Sequence, residues 1–191
     1  DGTASNGVYI DQTSASWARP KVCGHSWWDR FMVVAEADSA AVPGSKDVQS
    51  RIRASDGTLE VPFVVQSATS TYSCAAPDIG VDAVPSQFAP FMVVYNRVIA
   101  GVRDLHFVTT SGFQLHYEQE LAVRSTHDTS APVLSSMSGL CCAATEYVVA
   151  WTEREISTGA SSVRAALPLY DGSGFSGPFN VAEPTTGAIY F

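Results

Sequence analysis

The sequence predicts an all-β fold of four-stranded antiparallel units, three of them complete, with partial strands at both ends. Three observations carry that prediction. First, the chain repeats itself. Asp1-Gly2-Thr3, Asp56-Gly57-Thr58, Ser111-Gly112-Phe113 and Asp171-Gly172-Ser173 stand 55, 55 and 60 residues apart. A period of this size is one supersecondary unit copied in tandem. Second, four short hydrophobic phrases recur in the same order between these marks. Third, no phrase has a 3.6-residue period; each is a β-branched or alternating run closed by turn residues.

The middle copy shows the elements in order. Val61 to Val65 is a short β-branched run that opens after the Asp56-Gly57 turn. A Ser/Thr-rich connector leads to Pro77-Asp78-Ile79-Gly80-Val81, where apolar and small or polar residues alternate. Phe91-Met92-Val93-Val94-Tyr95 follows and is the most continuously apolar phrase. Arg103 to Val108 alternates again before the turn at Ser111-Gly112. The other copies match. Phe31 to Val34 and Tyr147 to Ala150 repeat the third phrase, Pro20 to Val22 and Pro132 to Leu134 the second, and Asp47-Val48 and Ser162-Val163 the fourth. The units are about 1–55, 56–110 and 111–170, with a partial unit at 171–191, all within one repeat domain spanning 1–191.

The chemistry of these positions is that of a scaffold. A strand apolar on both faces suits a site between two neighbouring sheets. Asp-Gly steps supply the positive φ of a tight turn. Pro20, Pro77 and Pro132 are expected at strand entrances, where no ladder donor is lost. A repeated four-stranded unit that buries both faces against its neighbours is a propeller blade. Closed propellers take about four to eight blades. Three blades therefore predict a segment of a longer propeller, or closure in trans, for example two three-blade halves making six. A different all-β arrangement such as a sandwich is the remaining reading. Val8 to Ile10 reads as an outer strand without a blade of its own, and Ala188 to Phe191 as the start of another blade.

The order Asp-Gly, Phe-x-Val, Pro-x-Val, Phe-x-Val-Val plus an aromatic, then Asp-hydrophobic, resembles the tandem repeats of large bacterial secreted and surface proteins. The resemblance covers the whole chain and implies β-propeller blades and an extracellular or cell-surface address, the periplasm included. It implies no particular activity. The aromatic that closes the third phrase is Tyr95 or Trp151 in two copies but Ala35 in the first, and Ser162 replaces the fourth-phrase Asp in the third. These departures argue against one ligand site repeated in every blade.

Composition excludes several partners. Charged residues make up 16% of the chain and the net charge is −8, with two lysines beside nine arginines. No basic cluster attracts a phosphate backbone, so nucleic acid is excluded as an expected partner, and an anionic membrane surface is disfavoured for the same reason. No stretch approaches 18 uninterrupted apolar residues, so no membrane span is expected. Cys23, Cys74, Cys141 and Cys142 allow three disulfide pairings, which the sequence leaves open beside buried free thiols. No C-x-x-C or H-x-x-x-H spacing is present, so neither a metal site nor another cofactor is expected.

The sharpest local feature is His25-Ser26-Trp27-Trp28-Asp29-Arg30, between the first two strands of the first blade. Trp and Arg dominate interface hot spots, and a Trp ring also stacks on sugars, so His25, Trp27, Trp28 and Arg30 are the candidate binding residues for a protein or glycan partner. The competing use of a Trp here is to plug the gap between blades. His127-Asp128-Thr129-Ser130 reads as a solvated polar connector, since a catalytic triad is assembled in space and not along the chain. No catalytic residue is assigned. Glu36, Glu153 and Glu155, at or beyond third-phrase strand ends, keep a second reading open: a secreted glycosidase-like propeller enzyme with a carboxylate pair at one face. The leading expectation is a non-catalytic extracellular binding, adhesion or assembly module, self-association included.

Overall fold

The structure, a computed structural model, describes residues 16–25, 28–81, 91–111, 114–122, 126–135, 147–169 and 173–185. Val8 to Ile10 and Ala188 to Phe191, expected as partial terminal strands, lie outside these. The described residues form strands and turns only, in three antiparallel sheets. The first sheet is β1 (Trp17–His25), β2 (Arg30–Asp38), β3 (Lys46–Ala54) and β4 (Phe63–Gln66), paired in that order. The second is β5 (Ser73–Val81), β6 (Phe91–Ile99), β7 (Val102–Thr110) and β8 (Leu115–Ala122). The third holds β9 (His127–Thr129), β10 (Val133–Leu134), β11 (Val149–Glu155), β12 (Ser161–Pro168) and β13 (Phe175–Thr185). Both β9 and β10 pair with β11, so together they fill the place of β1 and β5. The all-β expectation of four-stranded antiparallel units holds.

Sheets and sequence units are out of phase. Asp56-Gly57 turns the chain between β3 and β4 of one sheet, with Gly57 at φ +90 and Thr58 N donating to Asp56 Oδ1 at 2.8 Å. The step between sheets falls instead in the Ser/Thr-rich connector after β4. The first phrases of the later sequence units, in β4, β8 and β13, are thus the last strands of the preceding sheets.

Pro132 stands at the entrance of β10, as expected, but the other two prolines do not stand at strand entrances. Pro20 and Pro77 lie inside β1 and β5, at a register shift between Ala18 and Lys21 and between Ala75 and Asp78. Arg19 and Ala76 before them are left-handed, at φ 52 and 49. A β-bulge takes a residue out of the ladder, so a proline there costs no hydrogen bond either. In the third sheet the same step, Ser130-Ala131-Pro132, separates β9 from β10.

Alternation along β6 welds the sheets together. Phe91, Val93 and Tyr95 face the first sheet and pack with Met32, Val34, Val48, Ile52 and Val65. Met92 and Val94 face the third and pack with Leu134, Tyr147, Val149 and Trp151. A strand with both faces covered reads as a continuous apolar run, as this one does.

Polar ties recur at the same place in each junction. Lys46 N donates to Ser73 Oγ at 2.9 Å, joining β3 to the start of β5. One repeat later Arg103 N donates to Asp128 Oδ1 at 3.0 Å, joining β7 to β9. From β2, Glu36 Oε1 accepts the Ala76 N–H at 2.6 Å, and from the same position in β6 Asn96 Nδ2 donates to Thr129 Oγ1 at 2.9 Å. Asp78 Oδ2 accepts the Leu134 N–H at 2.8 Å, tying β5 to β10. The bulge at Ala76 turns its backbone N–H toward the first sheet, and a buried donor needs such a partner.

Candidate binding site at the β1–β2 turn

His25 and Arg30 are the last paired residues of β1 and β2 and frame the turn. Trp28 N donates to His25 Nδ1 at 3.2 Å, which closes it. Asp29 is left-handed at φ 52 and is held from outside. Its carbonyl accepts the Ser55 N–H at 2.9 Å, and its carboxylate accepts the Ser55 hydroxyl. Arg30 pairs with Glu60 at 2.9 Å, and its guanidinium carbon stands 6.0 Å from the centre of the Trp28 ring.

His25 is 2% exposed, with Trp28 5.4 Å away and the edge of Phe91 6.1 Å away. Gly24, His25, Asp29, Arg30 and Phe31 line a recess of about 190 Å³. Phe31 lies over Gly24, where a Cβ would meet its ring at 2.8 Å, so only glycine permits this packing. Ligand pockets for drug-sized molecules run to roughly 300–1,000 Å³. The recess therefore suits one ring or one side chain. Of the four predicted residues, His25 and Arg30 line it, Trp28 touches both, and Trp27 lies outside the described residues. The corresponding loops 82–90 and 137–145 lie outside them too.

The remaining acids and histidines of the sequence reading are engaged structurally. Glu36 accepts from Arg19 at 3.2 Å as well as from Ala76 N. Glu153 is buried, 3.7 Å from both Arg164 and His127. Glu155 accepts from Thr158 and Ser157, and these bonds hold its carboxyl below the usual range. His127 to Thr129 is a strand where a solvated connector was expected. Asp128 takes the place of Ser73, so it is drawn into the junction and grips Arg103 through two further contacts of 3.0 and 2.8 Å.

Sequence reasoning missed a polar cluster between the first and second sheets. The Tyr95 hydroxyl lies 2.7 Å from Glu118 Oε1 and 3.0 Å from Gln66 Oε1. Arg97 donates to both of these oxygens and stands 4.8 Å from the centre of the Tyr72 ring. His106 stacks on Tyr95 at 5.8 Å. Burial, then the charge of Arg97, pushes the His106 imidazole down to about 3, so it is neutral. Burial pushes the neighbouring Cys74 thiol up to about 12. Asp104, His106 and Glu120 each bring one potential ligand atom within 4.8 Å of the others. Arg97 stands across the ladder from Asp104, and its charge acts on His106. The signal was present as Tyr95-x-Arg97, Asp104-x-His106 and Glu118-x-Glu120, polar residues two apart on three adjacent strands. It becomes visible only once the register is known.

Compared with known proteins, the chain matches no family model and no curated sequence.

Proposed function

We propose that this chain is a non-catalytic extracellular binding module of the propeller type, which engages a glycan or a protein side chain at the β1–β2 turn. The observation that carries the reading is the recess lined by Arg30 and Phe31, with the Trp28 ring 6.0 Å from the Arg30 guanidinium carbon. Rings of this kind bury apolar area at low entropic cost, while Arg30 supplies directional donors. The extracellular address rests on the repeat resemblance and on the acidic, lysine-poor composition. Catalysis is the weaker reading because Glu36, Glu153, Glu155 and Asp128 each serve a structural contact.

A glycan and peptide array probed with the labelled chain tests this, followed by titration calorimetry on any hit. Trp28→Ala is expected to weaken binding at least about 30-fold, the size of an interface hot spot. Phe31→Leu, which keeps an apolar wall, is expected to weaken it less. Binding unchanged in Trp28→Ala would remove the site from this turn.

A further inference from the structure

Among the described residues, the two outermost sheets each leave one face uncovered, and the repeat identifies what those faces are built to meet. Phe31, Phe91 and Tyr147 occupy the same phrase position, facing the preceding sheet. Phe91 and Tyr147 are 0% exposed, and Phe31 is 51% exposed. Val22, Ile79 and Leu134 form a second such set, at 64, 5 and 6%. On the opposite side, facing the following sheet, Met32 and Met92 are 0% exposed, whereas Val148 is 43%. Val65, Leu121 and Val181, each the unpaired residue at a ladder shift, stand at 1, 4 and 64%. Val133 and Phe179 extend this second face.

The open face of the first sheet is therefore of the type that the second and third sheets bury. The open face of the third sheet is of the type that the first and second bury. The two faces of one molecule match each other as the internal faces do. Arg51 is the departure, standing where Val108 and Ala166 are buried.

We propose that the third sheet of one copy docks on the first sheet of a second copy, and that two copies close a six-sheet ring. The joint is heterologous, and such joints close only when the rotation allows it. Closed propellers take about four to eight blades. With three sheets per chain, six is the multiple of three in that range, so two copies satisfy both conditions. Phe31 lies at once on the open face and on the recess, so the second copy would wall the binding site from that side. The joint itself rests on burial and repeat geometry and stands apart from any ligand.

Sedimentation equilibrium of the whole chain from about 1 to 200 µM tests the proposal. The expected result is a reversible dimer of twice 20.3 kDa. Phe31→Glu and Val181→Glu alter opposite faces at exposed positions, so folding is checked by circular dichroism and each is expected to raise the dissociation constant at least about 30-fold. Mixing the two restores one intact joint and is expected to recover a weaker heterodimer. Ile99→Glu, exposed at the end of β6 in the middle sheet, is expected to dimerise as the parent does. A parent chain monomeric throughout the range, as when other chain segments cover these faces, would overturn the proposal. So would a mixture no more associated than its components, or a face variant that dimerises normally. Loss of glycan or peptide binding in Trp28→Ala with the dimer intact bears on the turn alone.

Discussion

Cutting the ring from Phe91 and from Phe31 asks the same question at two equivalent positions in different surroundings. Phe91 is fully enclosed between the first and second sheets, and Phe31 is half exposed. Truncating an enclosed Phe to Ala costs about 3–5 kcal/mol, the transfer loss plus the cavity left behind. The transfer share for a full burial is about 1.5–3 kcal/mol. Phe31 forfeits about half of that share and leaves no enclosed cavity, so about 1 kcal/mol is expected in the isolated chain. With a urea slope of about 2 kcal/mol/M, the midpoint moves down about 2 M for Phe91→Ala and about 0.5 M for Phe31→Ala. Urea titration followed by circular dichroism measures both. Protein concentration adds a second axis, since association stabilises the folded state by mass action. The Phe91→Ala loss should be the same at every concentration, and the Phe31→Ala loss should grow as the dimer fills. Equal midpoint shifts in dilute protein would refute the reasoning, because the two rings would then be equally enclosed.

The remaining expectations concern polar groups. His106 titrates lower in the folded chain than unfolded, so its stabilising contribution is complete above about pH 6.5. It is lost as pH falls toward 3, at up to about 1.4 kcal/mol per unit. His106→Gln is expected to flatten that limb of a urea-midpoint profile against pH, and an unchanged slope would count against burial of a neutral ring. Cys74 is expected to resist alkylation at pH 8 until the chain unfolds, as read by peptide mass after timed labelling, because its thiol is pushed up to about 12. Asp128→Ala removes the acceptor for Arg103 N and both guanidinium contacts, and is expected to cost about 1–2 kcal/mol in urea unfolding. Asp128→Ser, which restores the group used by Ser73, is expected to recover part of it.

Strands and their number were legible because each phrase carries its own period and its own turn. The phase was not. A repeat fixes the length of a unit but leaves open which phrase begins a sheet, and Asp56-Gly57 looks like a boundary while closing a hairpin. Pro20 and Pro77 misled for a related reason. Pro-x-hydrophobic reads as a strand start, whereas Arg19 and Ala76 adopt left-handed backbone and the strand runs through the bulge. At the candidate site, Trp28 and Arg30 were legible from residue type, but the near-complete burial of His25 against Phe91 was not, since its neighbour lies in another sheet. The Tyr95 cluster escaped for the same cause. Its members come from β4, β6, β7 and β8, and only the ladder register brings them together.

The junctions explain why chemistry does not repeat although architecture does. The tie from Lys46 N to Ser73 and the tie from Arg103 N to Asp128 serve one geometric need, a backbone donor at the start of a strand that must find an acceptor in the next sheet. Serine and aspartate both meet it. At the second tie even the direction changes, since Glu36 accepts from Ala76 N whereas Asn96 donates to Thr129 Oγ1. Any polar group of the right reach that complements its partner suffices, so these positions constrain geometry and leave charge free to vary. A site that needs one charge pattern cannot then arise in every unit. It must sit where a single unit differs from the others, and the His25 to Arg30 turn, with its adjacent tryptophans, is such a place.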